Sequence, residues 1–286
     1  DGIRDCDVCL VGSEMCIRDR FEGGFATLRT RRVWLHALRG LCIVGANMAF
    51  FAALAVIPLA DATALFFVAP LFITLLSIPV LGERVGARRL AAVAVGFLGV
   101  VIMLRPGAAD AAAPDRAVLL LPVLAALGYA GMQVLTRRLG GTSTASAMAV
   151  YLQGGFIAVS LVFWAVAGDG RFVDAFEAES AVFLLRAWVW PTAADWPLFG
   201  VLGLMSAAIG YSLAQAYRSA NASTVAPFEY VALPLSIFWG WAVFGHLPDG
   251  RAVLGIALIA GAGVYVFLRE KRKAHMVASG RPVRRV

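Results

Sequence analysis

From residue 33 onward the chain is a succession of eight apolar runs of roughly 16–25 residues, divided mostly by short polar gaps. A helix rising 1.5 Å per residue needs about 20 residues to cross a hydrocarbon core of about 30 Å. The pattern therefore predicts transmembrane helices near 33–57, 62–81, 89–104, 117–136, 144–167, 196–216, 222–244 and 251–268. Pro58, Pro106, Pro114, Pro191 and Pro248 fall in the gaps, as suits a residue without an amide donor. Short gaps make consecutive helices antiparallel neighbours. The gap over 168–195 is longer, and its run Ala181–Trp190 is too short to span and carries Arg186. With Trp188, Trp190 and Trp196 it reads as a loop with a turn at the lipid–water boundary, a substrate lid being the alternative.

Charge gives the orientation. One set of alternate gaps holds Arg29, Arg31, Arg32, Arg84, Arg88, Arg89, Arg137, Arg138 and Arg218. The tail adds Arg269, Lys271, Arg272, Lys273, Arg281, Arg284 and Arg285. The other set holds Arg105, Arg116, Arg171, Arg186 and Arg251, together with Asp110, Asp115, Asp169, Asp174, Glu177, Glu179, Asp195 and Asp249. A bias of roughly three to one that alternates from gap to gap places the C-terminus in the cytoplasm, with the protein multi-pass in the cytoplasmic (inner) membrane. The net charge of +7 thus signals topology and excludes nucleic acid as a partner. With 60% hydrophobic and 15% charged residues, the chain is also far from soluble-domain composition.

The first twenty residues do not share this pattern. The run from Cys9 to Asp19 resembles the conceptual translation of a sequencing adaptor. Residues 1–20 are therefore expected to be non-native, native sequence to start near residue 21, and a piece upstream to be missing. Cys6, Cys9 and Cys16 fall in that segment, which leaves Cys42, and a single thiol in a span builds neither a disulfide framework nor a metal site.

The chain repeats itself. Ala60-Asp61-Ala62-Thr63, Pro70-Leu71 and Leu81-Gly82-Glu83 are echoed by Asn221-Ala222-Ser223-Thr224, Pro234-Leu235 and Phe244-Gly245-His246. A further run with internal glycines follows each copy, Gly96 and Gly99 in one, Gly255, Gly261 and Gly263 in the other. The copies are five helices apart, an odd offset, so the second is inverted in the membrane. Inverted repeats suit alternating access about a shared midplane site.

With Ala69-Pro70-Leu71-Phe72, Leu81-Gly82-Glu83-Arg84, Gly96-Phe97-Leu98-Gly99-Val100, Ala226-Pro227-Phe228-Glu229-Tyr230 and Gly240-Trp241, the chain resembles the drug/metabolite transporter superfamily, in the branch built from two EamA-type repeats. The likeness covers about residues 29–273. It implies an all-α polytopic membrane protein of two inverted five-helix repeats, here about eight helices because the first two are missing. Residues 21–106 would be the incomplete first repeat, 107–116 a linker, 117–270 the second repeat and 271–286 a basic cytoplasmic tail. The implied activity is secondary transport of a small organic metabolite or drug by alternating access, with the bilayer as surroundings, a proton as candidate coupling ion and a homodimer as candidate assembly. His246 stands where the family usually carries an acidic residue.

Candidate chemistry follows from polar groups inside spans, where a charge at a helix centre costs at least about 2.5–3.5 kcal/mol. Glu229, two residues after Pro227, reads as a proton or substrate-cation site, or else as a structural carboxyl between helices. Asn47, Gln133, Gln153, Tyr211 and Gln215 either line a pathway or tie helices together. Tyr230, Tyr129, Tyr151, Trp239 and Trp241 could stack on a flat or cationic solute, or pack against lipid. Asp61 is expected to cap the second span, and Glu83, among Arg84, Arg88 and Arg89, to form a surface ion pair or serve the helix end rather than transport. Gly128/Gly131, Gly154/Gly155 and Gly261/Gly263 are expected to admit close helix packing. The sequon at Asn221 is on the predicted cytoplasmic side and carries no meaning there. There is no phosphate-binding G-x-x-x-x-G-K-[ST] motif, and His36, His246 and His275 stand apart from one another, so no cofactor, metal or catalytic group is expected. A multispan enzyme acting on lipid and a non-transporting subunit are the alternatives, the first disfavoured by the lack of paired catalytic groups.

Overall fold

The computed structural model describes residues 30, 32–83, 85–104, 116–220, 225–245 and 247–278. The segment 1–20, the linker up to residue 115, Arg84, the sequon at Asn221, His246 and the end of the tail lie outside them. Every regular element among the described residues is helical: α1 (Val33–Leu54), α2 (Leu59–Phe66), α3 (Ala69–Leu81), α4 (Ala87–Met103), α5 (Arg116–Leu139), α6 (Ala145–Ala167), a 3-10 turn (Val173–Ala175), α7 (Glu179–Leu185), α8 (Trp196–Ser219), a second 3-10 segment (Ala226–Val231), α9 (Ala232–Phe244) and α10 (Gly250–Ala278). Val33–Leu54, Leu59–Leu81, Ala117–Leu139, Ser146–Ala167 and Trp196–Ser219 are long and apolar enough to cross a membrane. Ala232–Phe244 and Gly250–Val266 are shorter apolar helices. The fold is that of a polytopic membrane protein.

Two expected spans are broken, and for one reason. Instead of a single helix over 62–81, the chain forms α2 and α3 with a turn at Phe67 and Val68. Pro70 has no N–H to offer the carbonyl four residues back, Phe66, where α2 stops. Instead of a single helix over 222–244, the 3-10 segment precedes α9, and Pro234 stands in the same relation to Tyr230. Asp61 is not the cap that the sequence led us to expect. Pro58 holds that position, and Asp61 lies inside the first turn of α2, where a carboxylate faces the positive end of the helix dipole.

The two broken spans share a build beyond their prolines. Both α3 and α9 are 13 residues long and end on a left-handed glycine, Gly82 at φ 70° and Gly245 at φ 68°. The N–H of Gly82 donates to Ile78 at 3.1 Å and that of Glu83 to Ser77 at 3.2 Å, closing carbonyls that the helix leaves open. Gly245 repeats the device with an N–H to the Trp241 carbonyl at 2.9 Å. A side chain at either position would be strained by that φ.

Helix α5 sits among α1, α2, α3 and α8, with its heaviest packing against α1. The buried apolar core includes Ala53, Leu65, Val68, Leu71, Ala126 and Ile259. Phe50 of α1 meets Phe66 of α2 edge-on at 5.3 Å, and Phe66 meets Tyr129 of α5 at 5.4 Å. A second pairing joins α4 to α10. A Cβ built on Gly99 would lie 2.8 Å from the Gly255 carbonyl oxygen, so the two backbones touch there. Of the other glycines, Gly128 and Gly155 face α1, whereas Gly154 and Gly261 have open space beside them. Helices α6 and α8 expose most of their apolar side chains, including Leu161, Trp164, Leu204 and Met205, as suits helices bathed in hydrocarbon.

Candidate functional site

Glu229 is placed by the 3-10 segment that the two prolines, Pro227 and Pro234, force between Val225 and α9. Its Oε1 accepts two hydrogen bonds, one from the Tyr217 hydroxyl of α8 at 2.6 Å and one from the Tyr129 hydroxyl of α5 at 2.9 Å. The Tyr129 oxygen in turn accepts from Gln133 Nε2 at 2.6 Å, four residues on along the same helix face. Tyr217 and Gln133 are buried. The Phe50–Phe66 pair continues this polar line as an aromatic one, ending on the Tyr129 ring.

The cluster has a definite chemistry. Two phenols donating to one oxygen suit an ionised carboxylate, since charge-assisted bonds of this kind are about twice as strong as neutral ones. Three helical segments converge on one acceptor that can hold a proton, a cation or a hydrogen-bond donor of a solute. The rings of Tyr129 and Phe66 offer flat apolar surface next to it.

Of the residues singled out from sequence, the structure brings Glu229 and Gln133 together and leaves the others apart. Asn47 bonds its own helix, Nδ2 donating to the Ile43 carbonyl at 3.0 Å. Gln153 donates to Ser206 Oγ at 3.3 Å, tying α6 to α8. Tyr211 is exposed on α8, and Gln215 is half-buried on that helix. The side chain of Tyr230 lies outside what the structure describes. Tyr129, read from sequence only as a stacking ring, and Tyr217, not singled out, prove to be the two groups that hold the carboxylate.

Sequence reasoning also passed over Arg39, which is buried in α1. Its Nε donates to Thr136 Oγ1 at 2.7 Å and its Nη1 to the Met148 carbonyl at 2.9 Å, binding α1 to α5 and α6. A charge inside a span was the available signal. His36, one turn earlier, stacks on Tyr151 at 4.5 Å and pairs with Ser143 at 3.2 Å.

Glu83 stands at the end of α3, one of its two expected roles, with its backbone N–H on the Ser77 carbonyl at 3.2 Å, and Arg84 lies outside the described residues. Arg89 is buried and donates to Thr74 Oγ1 at 3.1 Å. Glu83 also lines a pocket of about 450 Å³ with Arg137 and Arg218. There Arg137 Nη1 donates to the Arg218 carbonyl at 2.8 Å, and Arg218 Nε to the Gly140 carbonyl at 3.2 Å. Each guanidinium thus serves carbonyls at the C-terminal end of the other's helix, where cations are favoured. Two hydrogen bonds join the ends of α5 and α8 at this arginine-rich end of the bundle. At the far end, α1, α6 and the α7 segment enclose a cavity of about 750 Å³.

Comparison with known proteins comes out consistently. A model described as the EamA-like transporter family matches residues 19–105. A riboflavin transporter of Rhizobium johnstonii is 36% identical over 253 residues, covering 87% of this chain and 75% of the relative. A riboflavin transporter of Vibrio cholerae is 32% identical over 250 residues, covering 87% and 76%. An S-adenosylmethionine uptake transporter of Rickettsia prowazekii is 26% identical over 249 residues, covering 87% and 76%. A solved protein structure superposes with a TM-score of 0.58 at 23% identity, over 86% of this chain and 79% of its own, a likeness of fold.

Proposed function

The chain belongs to the EamA-like transporter family, and from that premise we propose that its solute is a flat heteroaromatic metabolite, with riboflavin the first candidate, handled at the Glu229 cluster. It is a secondary transporter of a small metabolite, embedded in a membrane, and not an enzyme. The observation that carries the proposal is the convergence of Tyr129, Tyr217 and Gln133 on one carboxylate beside stacked rings. Such a site can stack a planar ring and bond its edge at the same time. Two relatives above 30% identity are both named for riboflavin, which supports that solute over the cationic S-adenosylmethionine.

Glu229 is also the coupling group in this reading. A carboxyl held by neutral donors can take up a proton on one side of the membrane and return it on the other. The arginine-rich end faces the cytoplasm of an inner membrane, with the C-terminus on the same side, in keeping with the charge bias between gaps. The two broken spans, α2–α3 and the 3-10 segment with α9, are corresponding parts of repeats at 21–106 and 117–270.

Counterflow tests this directly. Purified full-length protein in proteoliposomes preloaded with unlabelled riboflavin should accumulate labelled riboflavin saturably, and the label should be recovered chemically unchanged. Carriage of S-adenosylmethionine with no riboflavin counterflow would transfer the reading to a cationic solute. Within the cluster, Tyr217→Phe should lower the riboflavin flux by about tenfold or more, since a hydrogen bond to a charged group contributes about 1.5–3 kcal/mol. Flux equal to that of the parent would remove Tyr217 from the site.

A further inference from the structure

The cavity at the far end of the bundle is walled by rings from three elements: Phe51 of α1, Phe156 and Phe163 of α6, and Phe183 and Trp188 of the α7 segment. Asn47, Ser160 and Arg186 supply its polar groups. Asn47 donates one amide N–H to the Ile43 carbonyl, and its side-chain oxygen is the acceptor it can offer a solute. The guanidinium carbon of Arg186 stands over the Phe183 ring, 4.8 Å from its centroid, a cation–π contact within the cavity lining.

The α7 segment is built into this place and does not merely pass it. Helix α7 packs against α1. The Trp188 N–H donates to the Gly168 carbonyl at 3.0 Å, folding the segment back onto the end of α6. Arg171 Nε donates to the Val166 carbonyl at 2.9 Å and closes the same helix end. Toward α8, the Asp195 carboxylate accepts from the Thr192 N–H at 2.9 Å and hydroxyl at 2.7 Å, bonds that hold its carboxyl below the usual range. Both ends of the segment are thereby fixed, with Phe183, Arg186 and Trp188 turned toward the gap between α1 and α6.

We propose that this cavity is a second binding site, separate from the Glu229 cluster, which captures flat heteroaromatic solutes bearing carbonyl or anionic oxygens at the ring edge. Its volume of about 750 Å³ lies within the range of about 300–1,000 Å³ that small-molecule sites occupy. Rings on opposing walls stack a planar solute, and the fork of Arg186 pairs with two edge oxygens at once. A guanidinium in the cavity lining repels a sulfonium or other fixed cation, so the site selects as well as binds. Phe183, Arg186 and Trp188 make the α7 segment the specificity element of the transporter. The inference borrows the solute class from the proposed function, but it does not need Glu229.

The test uses riboflavin as probe on the purified full chain, following the quenching of riboflavin's own emission by ring stacking, alongside counterflow. Arg186→Gln should raise the riboflavin Kd about tenfold. Trp188→Leu should act in the same direction, and in both variants the counterflow KM should rise far more than the maximal rate falls. Glu229→Gln should lose the part of the quenching that belongs to its own cluster and keep the part that Arg186→Gln removes, and S-adenosylmethionine should not compete for the latter. Isotherms for Arg186→Gln and Trp188→Leu that coincide with the parent's would overturn the site, as would a parent that does not quench. Loss of all quenching in Glu229→Gln would merge the two sites and overturn their separation. Unaltered flux in Glu229→Gln with intact quenching would instead defeat the pathway role of Glu229 and leave the second site standing.

Discussion

Glu229→Gln is expected to reduce riboflavin counterflow about 30–150-fold. The amide keeps the size of the side chain but loses its charge and the ability to release or take up a proton. Oε1 now receives the Tyr217 hydroxyl at 2.6 Å and the Tyr129 hydroxyl at 2.9 Å. Bonds to a charged acceptor contribute about 1.5–3 kcal/mol each and neutral ones about 0.5–1.5, so the two together lose about 2–3 kcal/mol. The pH profile of flux should flatten as well, because the titrating group is gone. Glu229→Asp keeps the charge but draws the carboxylate back by one methylene, and should fall between Gln and the parent. Proteoliposome flux measured across pH checks all three, and a Gln variant with the parent's rate and the parent's pH profile would end the role assigned to this carboxyl.

Gly99→Val is expected to lower the melting temperature in detergent by about 5–10 °C and the yield of folded protein with it. The first added carbon would already stand 2.8 Å from the Gly255 carbonyl oxygen, 3.0 Å from Leu258 Cβ and 3.1 Å from Ile259 Cγ1. The nearest obstacle is backbone, which cannot rotate aside as a side chain can. Relief requires α4 and α10 to move apart, and overpacking of this kind costs about 1–3 kcal/mol or more. Gly45→Ala is the control, because no atom lies within 4 Å of its would-be Cβ and alanine is the better helix former. A Gly99→Val protein that melts with the parent would show that α4 and α10 do not approach as closely as described.

The helices were legible in the sequence as apolar runs, and the direction each residue faces around its helix was not. Apolar run length located the spans, and the matching Leu81-Gly82 and Phe244-Gly245 pairs marked two helix ends that carry left-handed glycines. Pro70 and Pro234 broke their spans because hydropathy averages over a proline that the backbone cannot ignore. Glu229 and Gln133 stood out as a charge and an amide inside apolar runs. Asn47 and Gln153 stood out for the same reason, yet one bonds its own helix and the other faces Ser206. Tyr217 escaped notice because a tyrosine beside Arg218 at a span's end looks like an interfacial anchor. Only the crossing of α5 and α8 turns it inward.

The paired arginines where α5 meets α8 have a mechanical corollary. Arg137 reaches the backbone of α8 and Arg218 reaches the backbone just past α5, so the two contacts cross between the same pair of chain segments. Pulling those segments apart lengthens both contacts together and exposes carbonyls on both sides, which water must then solvate. Admission of water to that interface and separation of the two helices are therefore one event, like a clasp whose halves come undone in a single motion.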